Sequence, residues 1–93
     1  MTDIKVFHGV TSAIFACVKT KSREEHGTTY DPPDADSGTA TTSTLLGIVV
    51  LGFKFDPDKA ELTYTLIRKG WMVPISQVWS GIGDTIESCR SSA

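Results

Sequence analysis

Cysteine is scarce in this chain of 93 residues, which holds only Cys17 and Cys89. Two are too few for the disulfide framework of a small secreted scaffold, and neither belongs to a Cys-x-x-Cys pair. They are expected as reduced, half-buried thiols, with a Cys17–Cys89 bridge as the alternative if their segments pack together. Basic charge is also short. Nine Lys and Arg stand against eleven Asp and Glu, a net charge of −2, so the chain has no electrostatic basis for holding nucleic acid. Long apolar runs are missing. No stretch reaches the roughly 18 residues of a membrane-spanning helix, and no membrane partner is expected. Residues 10–18 (VTSAIFACV) are the run placed most like a leader core. Asp3 and a single Lys5 flank it poorly, however, and Phe15 is bulky where a cleavage site wants a small residue. The expected location is cytoplasmic. Gly47, Gly52, Gly81 and Gly83 form no glycine-rich turn with a following Lys, which removes the phosphate-loop class.

What is present reads as one small domain over residues 1–93. The hydrophobic share of 40% and charged share of 22% are those of an ordinary globule. Ile4 and Val6 alternate with Lys5 as in a short strand that stops at His8-Gly9. Thr11 or Ser12 can cap a helix, and Ile14, Cys17, Val18 and Lys21 follow at helical spacing, with Gly27 as a stop. The β-branched and aromatic content of residues 11–25 makes a long strand the competing reading. Residues 28–44 carry Pro32-Pro33, three aspartates and a crowd of Thr, Ser and Gly without apolar repetition. They are expected as a long polar loop. Residues 45–55 (LLGIVVLGFKF) and 61–68 (ELTYTLIR) read as strands about the Asp56-Pro57-Asp58-Lys59 turn. Lys69-Gly70 then turns into a third strand through Trp71, Val73 and Ile75. Val78, Ile82, Ile86 and Cys89 lie on one face of a closing helix.

The expected fold is therefore α+β: a short N-terminal strand plus a three-strand meander, with two helices on one face of the antiparallel sheet. A mostly-β sandwich or barrel with one C-terminal helix is the alternative.

Several groupings resemble catalytic or metal sites and fall short. His26, Asp31, Asp34 and Asp36 offer metal-type ligands, but a calcium loop opening at Asp34 needs a Glu where Leu45 stands. Cys17 lies nine residues from both His8 and His26, and Cys89 could come near either. A Cys–His nucleophile needs hydrogen-bond contact and a third orienting group that spacing does not supply, so a buried structural thiol is the expectation. Asp84 and Glu87 share a helix face turned from the apolar one, so nothing there would tune a carboxylate for acid–base work. Lys19, Lys21 and Arg23 share a face only in an extended chain, and the closing helix opens SQVWSGIGD without a basic residue. No cofactor, metal site or catalytic residue is expected.

The aromatics remain. Tyr64, Trp71 and Trp79 are the candidate ligand or interface residues, between sheet and closing helix. The expected function is a small non-catalytic binding or interaction module, homodimeric, holding a protein partner or a small apolar ligand near these aromatics. The alternative is a small cofactor-free enzyme whose pocket is gated by the 28–44 loop, with His8 or His26 as base.

Overall fold

The computed structural model describes residues 3–92. Alternation of Ile4, Val6 and their neighbours builds β1 (Ile4–His8). Gly9 turns the chain with a positive φ, and Val10, fully buried, is tied down by its N–H bond to the Ala60 carbonyl at 2.9 Å. The segment open to two readings is helical: α1 spans Ser12–His26. Thr11 caps it by accepting from the Ile14 N–H, and left-handed Gly27 closes it with its N–H on the Arg23 carbonyl. Helical spacing outweighs β-branched content here because Ile14, Phe15, Val18 and Ser22 together bury one stripe.

The expected loop at 28–44 is mostly strand. β2 (Thr29–Asp31) and β3 (Ser37–Thr44) form an antiparallel hairpin around residues 32–36. Prolines and aspartates occupy only the connection. The Thr-rich run beyond it pairs along its whole length with β4 (Gly47–Asp56). Threonine suits a pleated ribbon, and this ribbon turns small side chains inward instead of large apolar ones. β5 (Glu61–Lys69) follows.

The five strands are ordered β1-β5-β4-β3-β2, all antiparallel. A four-strand meander is thus completed by β1, which returns to lie beside β5 with Ile4 opposite Thr65. The expected third strand at Trp71–Ile75 does not form. Gly70 turns the chain, the Val73 N–H bonds the Gly70 carbonyl at 3.0 Å, and α2 (Ile75–Ser92) begins directly after Pro74. Proline before a helix start directs the chain out of the sheet. The place beside β5 is already taken by β1.

Both helices cover the same face of the sheet, as the α+β reading expects. The core joins Phe15 of α1 to Phe53 and Phe55 of β4, with ring centroids 5.8 and 4.7 Å apart. Ile86 and Cys89 of α2 complete it. The two cysteines are bridged, contrary to the reduced-thiol expectation. Cys17 on the flank of α1 meets Cys89 on α2 with Cα atoms 5.8 Å apart, because each lies on the side where its helix faces the other. Lys21 reinforces the seam by donating to Ser88 Oγ at 2.8 Å, and Arg90 reaches across to the His8 carbonyl.

A bridge spanning 72 residues removes much loop-closure entropy from the unfolded chain, about 4 kcal/mol. Reduction, or the pair Cys17→Ala and Cys89→Ala, is expected to lower unfolding free energy by about that amount in a denaturant titration. A loss below ~1 kcal/mol would show that the helices are held by packing alone.

Candidate ligand-binding cavity

The inner face of β3 presents Gly38, Ala40, Thr42 and Thr44 opposite Phe53, Leu51, Val49 and Gly47 of β4. Phe53, Leu51 and Val49 of β4 are large and the β3 side chains small, so α2 does not settle onto β3. On α2, Val78, Gly81, Ile82 and Thr85 fall at i, i+3, i+4 and i+7 and face the same space. Gly81 has no side chain, and a Cβ built there would meet nothing within 4 Å. The result is an open-mouthed cavity of about 550 Å³ between sheet and helix. That volume lies within the roughly 300–1,000 Å³ range of small-molecule sites.

Burial orients the cavity. Tyr30, Ala40, Leu51, Tyr64 and Thr85 are buried and form its inner end. His26, Thr44, Leu45, Leu46 and Gln77 are exposed and form its mouth. Val73, 5% exposed, walls it from the turn before α2. The cavity walls are predominantly apolar, with a few polar groups at defined places. Tyr30 Oη and Tyr64 Oη share a hydrogen bond of 2.7 Å in the buried end. Thr28 and Thr42 hydroxyls pair at 2.6 Å nearer the mouth. Thr85 Oγ1 donates to the Gly81 carbonyl. The tyrosine pair has two O–H hydrogens and uses one between its members. The Ser22 hydroxyl stands beside Tyr30 and donates to its oxygen.

Of the three aromatic candidates, only Tyr64 lines this cavity. Trp79 is half-buried on α2 and packs against the core away from the cavity walls. Trp71 is 88% exposed on the turn after β5. The expectation of a common pocket for the three assumed a strand through Trp71, and the turn at Gly70 separates them. Sequence reading passed over Tyr30, Ala40, Thr42 and Gly81. The usable signal was the run of small residues in 37–44 once it is laid on a strand opposite LLGIVVLGF.

The catalytic candidates are dispersed. His8 stands on the outer sheet edge with its Nδ1 3.0 Å from Glu61, remote from the cavity walls. His26 reaches only the mouth. Cys17 and Cys89 are consumed by their bridge. Glu87 is paired with Arg90 on the outside of α2. Among the described residues, no group of three or more His, Cys, Asp or Glu side chains is placed to hold a metal ion.

Burial in the apolar end raises the hydroxyl pKa of Tyr30 above its ordinary 10.0 and that of Tyr64 well above it. The neighbouring Tyr30 oxygen adds to the rise at Tyr64. Both are neutral hydrogen-bonding groups at any physiological pH. The folded state keeps these protons where the unfolded chain releases them. Stability is therefore full below about pH 10 and declines above it, by about 1.4 kcal/mol per pH unit for each tyrosine still held neutral. These are the only two tyrosines, so phenolate absorbance reports on them alone. It is expected to stay absent through pH ~10 and to rise together with loss of the folded circular-dichroism signal. Phenolate appearing near 10 in a folded chain would show that the inner end is wet. No family model matches the chain, and neither a curated protein nor a solved structure is significantly similar to it.

Proposed function

We propose that this protein is a small non-catalytic binding module that holds a small, mostly apolar ligand in the cavity between the sheet and α2. The observation that carries this reading is the mismatch of side-chain size across the cavity. Ala40, Thr42 and Gly81 leave space where a sequence selected for packing alone would fill it. The tyrosine pair at the inner end suits a ligand with one hydroxyl or carbonyl group among apolar atoms. The 28–44 segment supports this reading over a gated enzyme pocket, because its strands are fixed in the sheet and leave no free lid.

A homodimer has its best support on the opposite face of the sheet. Ile4, Val6, Ile48 and Ile67 are all more than two-fifths exposed there, on the face without a helix. The Cys17–Cys89 bridge favours an oxidising compartment over the cytoplasm. Among the described residues, no helix is long and apolar enough to cross a membrane.

The cavity reading is tested in lipid-free buffer with the neutral apolar fluorophore N-phenyl-1-naphthylamine. Saturable binding is expected. Gly81→Leu places a side chain in the open space and is expected to weaken binding at least about tenfold. It should not lower the melting temperature, since leucine is the better helix former by about 0.8–1 kcal/mol. Gly83→Ala is the control, because a Cβ there meets the Phe7 ring at 3.9 Å, outside the cavity. Equal binding by wild type and Gly81→Leu would remove the cavity as the site. For the dimer, sedimentation of Val6→Lys with Ile67→Lys is expected to give a monomer where the wild type gives a dimer.

A further inference from the structure

Two loop tips meet at the mouth of the cavity. One is the β3–β4 turn with Leu45 and Leu46, and the other is the β5–α2 connection with Trp71 and Met72. They are locked side by side. The Gly70 N–H bonds the Ile48 carbonyl at 2.9 Å, and a Cβ on either Gly47 or Gly70 would come within 2.9 Å of the other's Cα. Leu45 is 106% exposed, Trp71 88%, Met72 53% and Leu46 45%. Four large apolar side chains thus project from one end of the molecule, beside the apolar opening.

The charge carried by the two tip segments is one-sided. Residues 37–53 contain no charged side chain, and residues 62–83 contain only Arg68 and Lys69. Those two bases sit opposite Val50 and Val49 at this same end of the sheet. The chain is acidic as a whole, with eleven acids to nine bases, yet neither segment that builds the tips holds an acid. Glu24 and Glu25, in the last turn of α1 beside His26, and Asp3, whose carbonyl accepts from the Leu66 N–H at 2.8 Å two residues before Arg68, are acids the fold brings towards this end without placing them on the tips.

We infer that the paired tips dock the protein on an anionic lipid surface, with Leu45, Leu46, Trp71 and Met72 entering the interface and Arg68 and Lys69 meeting the headgroups. Tryptophan and bulky aliphatic side chains favour the membrane–water boundary, and basic residues behind them are attracted to anionic lipid. A docking protein partner would want a broader surface. Four side chains on two tips fall short of the roughly 20–30 residues a side of a standard stable interface. Such docking needs no spanning segment, so it is consistent with the short apolar runs of the sequence. It also points the cavity mouth at the lipid, although docking does not depend on what the cavity holds.

The test is flotation of the full chain with vesicles of phosphatidylcholine, with and without roughly 30% phosphatidylglycerol. The wild type is expected to float with the anionic vesicles, weakly with the neutral ones, and to shift its tryptophan emission to the blue. Trp71→Ala with Met72→Ala is expected to cut partitioning by at least about tenfold, with circular dichroism confirming that the variant is folded. Arg68→Gln and Lys69→Gln should each cost about fivefold on anionic vesicles and nothing on neutral ones. The idea is overturned if the folded wild type floats with neither composition, or if Trp71→Ala with Met72→Ala floats like the wild type. A dimer in sedimentation that Trp71→Ala dissolves, without vesicle binding, reassigns the tips to a second copy of the chain. The lipid-free fluorophore titration reads the cavity separately, so failure of one does not stand in for failure of the other.

Discussion

The seam between the two helices is the constraint on which the rest of the structure depends. A sheet of five strands with helices on one face has a single apolar layer to hold it together. α1 and α2 come from opposite ends of the chain, and the Cys17–Cys89 bridge fixes one to the other. With that distance set, α1 drops Phe15 onto Phe55 and seals one side of the core. The length of α2 before Thr85 then stands over β3, where the sheet is thin. The bridge and the aromatic core belong to one part of the molecule, and the cavity lies where their reach ends.

The cavity follows from a choice of side-chain sizes. Interiors pack to a density that leaves few voids. Here four inward positions in a row on β3 are glycine, alanine and threonine, and the helix above carries a glycine at the matching height. Glycine is locally unfavourable in either element, and small side chains leave the interior short of contacts. Glycine in a helix costs about 1 kcal/mol relative to alanine, and each missing contact forfeits dispersion energy. Their coincidence across one gap is what gives the cavity its meaning. The tyrosine pair at its end keeps two hydroxyls satisfied in apolar surroundings, and no buried side-chain polar atom among the described residues lacks a partner.

How much of this was legible in the sequence varies with the element. Helix periodicity on α2, the Thr11 cap, the Gly27 stop and the apolar run of β4 are local signals, and the α+β class followed from them. The hairpin of β2 and β3 was hidden because its inward side chains are small, so period-2 alternation of hydrophobicity never appears in SGTATTST. Trp71, Val73 and Ile75 carry the alternation of a strand but follow a glycine turn and abut Pro74. Which neighbour β5 takes depended on β1, far away in sequence. The cavity was invisible for the same reason as the hairpin, since a deficit of volume exists only after two elements have been placed opposite each other. Tyr64 was found because a tyrosine on an alternating strand is conspicuous. Its partner Tyr30 sits in a three-residue strand between a turn and two prolines.

The placement of β1 also bears on how the chain assembles. β1 has its hydrogen-bonding partner in β5, about 60 residues later in synthesis, with Ile4 opposite Thr65. Every intervening element must be made before that pairing can occur. The meander from β2 to β5 closes through short connections and can form as it is synthesised. β1 and α1 wait for it, and the thiol of Cys17 waits longer still, until Cys89 has emerged. The bridge therefore cannot close before the meander has been made, and a ribosome stalled before residue 89 presents a sheet whose covering helix α1 is not yet tied to α2.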